Sequence, residues 1–220
     1  MTFCVSINKL IPYFSRRKNK EQRENVIGEL IMTEREFCRD LKLTWQAFGL
    51  ETPDLLEQRG IEVQGLFGNL SDIIDISSKF LENLTEDPEN IGKNFCNHSE
   101  SMKKVYTDYC INHDKAEQLL EKYEATPDVQ KMLQKSVETL QAQVVCFNMG
   151  SILIKPVQRI LKYPLILNEL LKVQIARATT STLFEIFIFC PKIQLWFPEK
   201  IVDFFGGDEK FVKMLWFWTF

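Results

Sequence analysis

The sequence predicts an all-α fold, an elongated bundle of long helices. Over most of residues 21–172, apolar residues recur at intervals of three or four positions, which is the spacing of one helical face. The 220 residues include only nine Gly and eight Pro, and this scarcity of turn-forming residues disfavours a β architecture. The 45% content of hydrophobic residues is enough for a substantial core.

The first helix is predicted over residues 21–48, because no Pro interrupts this run and its apolar residues keep helical spacing. The apolar positions are Val26, Leu30, Phe37, Leu41, Trp45 and Phe48. A neighbouring polar face carries Glu29, Thr33, Glu36 and Asp40. A basic cluster at residues 16–20 precedes the helix, and residues 1–22 are expected to form a solvated lead-in.

Three more helices are predicted in the next part of the chain. A short helix over residues 52–58 is expected to stop at Gly60. A second helix, apolar over a wide arc, is predicted over residues 63–83, and a third over residues 91–123. The polar residues 85–90 between these two are expected to form a loop or a helix start.

The last two predicted helices begin at prolines. Thr126 is expected to cap a helix whose first residue is Pro127, with its apolar register continuing to Phe147. A further helix is predicted to begin at Lys155 and Pro156. The aromatic-rich residues after 172 lack a clean period and are expected to form an irregular tail.

Composition excludes several classes of function. A net charge of −3 gives no support to nucleic-acid binding, which usually requires a basic excess. The six cysteines are widely spaced without a C-x-x-C pair, which predicts reduced thiols in a cytoplasmic protein. Neither His98 nor His113 has sequence neighbours that indicate catalysis or metal binding, and no phosphate-binding glycine loop is present. We therefore expect no cofactor and no metal.

Two stretches carry a family resemblance. They are residues 26–41, VIGELIMTEREFCRDL, and residues 153–171, LIKPVQRILKYPLILNELL. Their order and separation resemble the first and third conserved regions of Dbl-homology domains, the exchange factors of Rho-family GTPases. Residues 66–70, LFGNL, resemble the second signature helix of that family. The chain is most similar to the Tuba-like subgroup.

This resemblance implies a guanine-nucleotide exchange catalyst that performs no bond chemistry and is neither hydrolase nor transferase. The implied partner is a Rho-family small GTPase. By position, Glu29 matches the family glutamate that engages the first switch loop, and Lys162 matches the lysine that meets the second. Lys155, Arg159 and Lys162 also share one helical stripe, a basic surface suited to an acidic partner. The further candidate GTPase-binding residues are Thr33, Lys155, Gln158, Arg159 and Asn168.

The resemblance also divides the chain. Residues 1–22 are the lead-in, residues 23–172 the Dbl-homology domain, and residues 173–220 a divergent tail. In the family a further long helix follows the third conserved region, and residues 173–220 hold no counterpart of it. We therefore expect a domain that is incomplete at its C-terminal end, such as a truncated or alternatively spliced product.

Two alternatives to exchange activity stay open at this point. One is a non-catalytic helical module that binds a GTPase or another partner without releasing its nucleotide. The other is peripheral membrane contact through the basic cluster at residues 16–20 and the aromatic tail.

Overall fold

The computed structural model describes the backbone of residues 3–50, 52 and 54–175, and the side chains of residues 19–50, 52, 54 and 56–173. Within these ranges all regular structure is helical and no strand occurs, so the predicted all-α class is confirmed. The helices are α1 (Phe3–Ala47), α2 (Asp54–Glu57), α3 (Val63–Phe67), α4 (Leu70–Glu86), α5 (Ile91–Glu124), α6 (Pro127–Gln141), α7 (Met149–Leu153) and α8 (Lys155–Ile175). None of these helices is long and apolar enough to cross a membrane. The predicted tail lies, from residue 176 onwards, outside the described residues.

The first helix is longer than the sequence pattern predicts. It begins at Phe3, whereas residues 1–22 were expected to be a lead-in. Residues 13–27 contain neither Gly nor Pro, and residues 16–24 are almost all Lys, Arg, Glu or Gln. These residue types are strong helix formers, so helical structure continues through the basic cluster without an apolar face to mark it.

Two other expectations about helix boundaries are wrong. The single helix predicted over residues 63–83 is divided into α3 and α4 at Gly68. The helix with an apolar face predicted to continue to Phe147 ends at Gln141, the last residue of α6. Phe147 lies outside it and is 82% exposed. Helix α6 begins at Pro127 with Thr126 at the N-cap position, as predicted, but the Thr126 side chain makes no capping hydrogen bond; its hydroxyl donates to the Lys122 carbonyl at 3.1 Å.

The chain divides into two compact units. The middle unit comprises residues 33–161, and the terminal unit combines, among the described residues, 3–32 and 162–175. In the middle unit α5 packs along α3, α4, α6 and α7. Its largest fully buried side chains include Phe67, Phe80, Tyr106, Leu41 and Leu84.

Aromatic side chains fix how the helices of the middle unit pack. The rings of Phe80 and Phe95 meet edge to face with their centroids 4.8 Å apart, and this joins α4 to α5. The Tyr109 hydroxyl donates to the Leu153 carbonyl at 2.8 Å, which ties α5 to the end of α7. Burial raises the pKa of Tyr109 above its ordinary value, so this hydroxyl stays a donor.

In the terminal unit, the described side chains come from α1 and α8. Ile27 and Leu30 of α1 are buried, as are Tyr163 and Leu170 of α8. Leu30 has no exposed surface at all. Between these positions Gly28 and Glu29 of α1 are exposed, whereas residues 164–167 of α8 are half-buried and Asn168 and Glu169 are exposed.

Gly68 is a position where the fold requires glycine. Its φ of 56° and ψ of −136° suit a residue without a Cβ, and an added Cβ would lie 3.0 Å from Asn112 Nδ2. That amide cannot move freely, because it donates to the Gly65 carbonyl at 2.8 Å. We expect Gly68→Ala to lower the free energy of unfolding by about 2–3 kcal/mol in urea denaturation.

Gly92→Ala is the matched control for this substitution. Gly92 lies in the first turn of α5, and an added Cβ there meets nothing within 4 Å. We expect its effect to be below about 0.5 kcal/mol. Equal losses in the two variants would contradict the requirement for glycine at residue 68.

Candidate functional site

Glu29 and Lys162 belong to the terminal unit and are exposed. Their helices are anchored by the adjacent residues Leu30 and Tyr163, which are 0% and 3% exposed. In the described part of the chain, neither Glu29 nor Lys162 makes a hydrogen bond or an ion pair. A carboxylate and an ammonium group are therefore held on packed helices and stay available to a partner.

Met32 extends the exposed surface that begins at Glu29. The sequence pattern did not identify Met32 as a site residue. It lies three residues after Glu29 on α1 and is 51% exposed. All the other exposed residues between positions 20 and 32 are polar, charged or Gly. Helical register alone would have placed Met32 beside Glu29, since positions three apart are neighbours on a helix surface.

Arg159 lies inside the middle unit. Its Nε donates a hydrogen bond to Glu34 Oε2 at 2.8 Å. Its Nη1 donates to Thr33 Oγ1 at 3.0 Å. The side chains of Arg159 and Glu34 are only 4% and 0% exposed, and the guanidinium carbon lies 5.9 Å from the centre of the Phe37 ring. This arrangement joins the start of α8 to α1 by a buried ion pair.

Lys155 also pairs with α1. Its Nζ lies 2.7 Å from Asp40 Oδ2, and the two side chains are 17% and 14% exposed. Asp40 has a second cation, since Arg39 Nη2 lies 2.9 Å from its other oxygen. Lys155 is thus engaged within the protein.

The predicted basic stripe is therefore corrected. Of its three cations, only Lys162 is exposed; Arg159 and Lys155 are paired with carboxylates of α1. Helical spacing placed these cations on one stripe but carried no information about acidic residues of another helix. Gln158 and Asn168 are exposed, and the structure brings Thr33 into contact with Arg159. The GTPase-binding roles of these residues stay predictions.

Cys38 lies beside the buried ion pair and is not a reactive thiol. Burial, with a further contribution from Glu34, raises the pKa of Cys38 to about 12. The thiol is therefore protonated at neutral pH. Nucleophilic chemistry at this position is disfavoured.

A family model supplies the decisive comparison. The model described as RhoGEF domain matches residues 26–178, which is more than half of the chain. The chain belongs to the RhoGEF domain family. The matched region begins at the first residue of the first conserved stretch and runs past the end of α8.

The chain is also similar to several curated relatives. Dynamin-binding proteins of Canis lupus familiaris and Homo sapiens are each 40% identical over 157 residues, which cover 69% of this chain and 10% of theirs. Rho guanine nucleotide exchange factor 38 of Mus musculus is 34% identical over 165 residues, covering 68% of this chain and 21% of its own. The chain spans about a tenth of the length of the dynamin-binding proteins. Since dynamin-binding protein is Tuba, the predicted subgroup is confirmed.

Solved structures confirm the Dbl-homology bundle. A Vav1 structure with its PH and C1 domains is similar with a TM-score of 0.68 and 22% identity, covering 81% of this chain and 48% of that chain. The linker-DH/PH structure of p115-RhoGEF is similar with a TM-score of 0.69 and 21% identity. The match covers 81% of this chain and 56% of that chain. At these identities, the RhoGEF neighbours establish the fold alone.

Proposed function

We propose that this RhoGEF domain promotes GDP release from a Rho-family small GTPase. Two observations together carry the proposal. The chain belongs to the RhoGEF domain family, and Glu29 and Lys162, at the positions implied by the family pattern, are exposed and make no hydrogen bond or ion pair in the described structure. Paired charges elsewhere in the molecule, such as Arg159 with Glu34, are held inside it.

The proposed catalysis is differential binding. A GTPase holds GDP and Mg²⁺ tightly through its switch loops, and no covalent bond has to be formed or broken to release them. A catalyst that binds the nucleotide-free form more tightly than the GDP form shifts the equilibrium towards release. Linkage requires that GDP weaken the complex by the same factor.

In this mechanism each exposed charge has a separate role. The Glu29 carboxylate accepts hydrogen bonds from backbone N–H and hydroxyl groups of the first switch loop. The Lys162 ammonium donates to carbonyl or carboxylate groups of the second switch loop. When both loops move, the Mg²⁺ site is disrupted and the phosphates lose their main counter-charge.

The other predicted residues divide into two groups. Gln158 and Asn168 are exposed, and we propose them as direct contacts to the GTPase, with Met32 adding an apolar contact next to Glu29. Arg159 and Lys155 are internally paired, and we propose that they position α8. Because the Thr33 hydroxyl accepts a hydrogen bond from Arg159, we propose that Thr33 is also a positioning residue.

We propose a cytoplasmic setting for this reaction. The described cysteines Cys38, Cys96, Cys110 and Cys146 are all free thiols, as expected in a reducing compartment. Contact of the basic cluster with an acidic membrane surface stays a prediction.

Affinity measurements in two nucleotide states test the proposed function. The chain should bind one or more Rho-family GTPases at least about tenfold more tightly after EDTA strips the nucleotide than with GDP and Mg²⁺ bound. Equal affinity for the two states would contradict exchange and favour the non-catalytic binding module. Isothermal titration calorimetry against a panel of purified Rho-family GTPases measures both affinities.

A further inference from the structure

Gly28 is an exposed glycine in the interior of α1. Its φ lies outside the left-handed region that favours glycine, because the positive-φ glycines of the described chain are Gly49, Gly60 and Gly68. An added Cβ at Gly28 would meet no described atom within 4 Å. Glycine in a helix interior lowers the equilibrium constant for folding about two- to fivefold relative to alanine. Alanine would therefore suit the fold better at this position.

Two glycines of the middle unit, by contrast, have a reason inside the protein. At Gly65 an added Cβ would lie 2.5 Å from Leu119 Cδ1, so the packing of α3 against α5 excludes a side chain there. At Gly68 the backbone adopts a positive φ. Neither reason applies to Gly28 among the described residues. The remaining use of glycine is to let another molecule approach the backbone closely.

Glu29 and Met32 share an exposed face of α1 with Gly28. At about 100° per residue, Met32 lies about 40° and Glu29 about 100° around the helix from Gly28. Met32 is 51% exposed, and Glu29 is exposed without a hydrogen bond or ion pair in the described structure. The proposed GTPase contact of Glu29 is therefore adjacent to Gly28.

The direction of helical side chains places a partner of Glu29 over Gly28. Side chains of an α-helix lean towards its N-terminus, so each residue covers the turn that precedes its own Cα. A group bound to the Glu29 carboxylate is thus placed over residues 25–28. A loop whose backbone N–H groups donate to that carboxylate passes over Gly28, where a methyl group would obstruct it.

We propose that Gly28 is the position at which the backbone of the GTPase's first switch loop approaches α1 closely. This inference rests on the proposed exchange function and adds a residue to the same contact. Main-chain atoms of the loop pack against the Gly28 backbone while the N–H groups of the loop reach Glu29. Met32 adds an apolar contact beside them.

Gly28→Ala separates this role from a structural one, because it should leave stability intact while it weakens binding. We expect the intact chain with this change to have a midpoint of urea denaturation no lower than that of the unmodified chain. Its affinity for nucleotide-free Rho-family GTPases should fall at least about tenfold in isothermal titration calorimetry, because overpacking a close contact is unfavourable. Gly28→Gln, which adds a longer side chain of good helix propensity, should lose at least as much affinity.

A double-mutant cycle with Glu29→Ala tests whether the two residues meet the same loop. Without the Glu29 carboxylate, the loop is no longer held over residue 28. Gly28→Ala should then weaken binding by a smaller factor in the Glu29→Ala background than in the unmodified chain. Equal factors in the two backgrounds would overturn the assignment to the first switch loop.

Gly92→Ala and Gly92→Gln are the matched controls. Gly92 is exposed in the first turn of α5, and an added Cβ there meets nothing within 4 Å. Both controls should bind the GTPase as tightly as the unmodified chain, to within about twofold.

The remaining outcomes separate this inference from the exchange proposal. If neither Gly28 variant binds more weakly than the Gly92 controls, the inference is overturned and the exchange proposal stands. A lower urea midpoint for Gly28→Ala would also overturn it, because the fold itself would then need glycine. An unmodified chain that binds none of the GTPases would overturn the exchange proposal and this inference together.

Discussion

Lys162→Ala is expected to lower the stimulated rate of GDP release from the GTPase substrate about 10- to 100-fold. A hydrogen bond to a charged group contributes about 1.5–3 kcal/mol, and each 1.4 kcal/mol corresponds to a factor of ten in rate. Lys162 is exposed and has no partner in the described structure, so its removal should leave folding intact. Glu29→Ala is expected to cause a loss of the same order.

Each control variant removes a charge of the same sign from another exposed position on a helix. Lys131→Ala removes an exposed lysine of α6, and Glu24→Ala removes an exposed glutamate of α1. Both should retain the GDP release rate of the unmodified chain to within about twofold, because exposed surface charges, including the Glu24 pair with Lys20, contribute little. If Lys131→Ala and Lys162→Ala lower the rate equally, the loss reflects general charge and the assignment of Lys162 fails.

Arg159→Met is expected to lower the free energy of unfolding by about 3–5 kcal/mol. The substitution leaves the Glu34 carboxylate, which is 0% exposed, without its cation in the interior of the middle unit. It also removes the hydrogen bond to Thr33. Urea denaturation followed by circular dichroism measures the loss, with the midpoint shift converted through the m-value.

Two comparisons identify the cause of that loss. In the double variant Glu34→Gln/Arg159→Met, the buried charge is gone, so stability should recover part of the way towards the unmodified chain. Lys155→Met should cost much less, about 1 kcal/mol, because Asp40 keeps its contact with Arg39. A double variant less stable than Arg159→Met alone would show that the unpaired carboxylate is not the cause.

Much of the fold was predictable because long helices leave a strong periodic signal. The start of α8 at Lys155 and the span of α5 follow from apolar spacing and from the position of Pro156. The break at Gly68 was not predicted, because the apolar pattern continues across it while the backbone adopts a positive φ. The helical structure of residues 16–24 in α1 was missed for the opposite reason, since polar helix formers extend a helix without producing an apolar face.

The site was predicted unevenly. Glu29 and Lys162 were found through the family motifs, and the structure leaves them exposed. Arg159 was grouped with them as part of a basic stripe, but Glu34 lies far from it in sequence and binds it in the folded protein. Pairing between distant segments depends on tertiary packing, which periodicity within one helix does not encode. Met32 could have been found from register, because three residues separate it from Glu29.

The most direct test of exchange activity is release of a fluorescent GDP analogue from purified Rho-family GTPases in the presence of the intact chain. We expect at least one member to release GDP faster, with the chain acting at substoichiometric concentration, as a catalyst must. A chain shown to be folded and helical that accelerates release from none of them, even in molar excess, would contradict the proposed function. In that case membership of the RhoGEF family would still account for the fold.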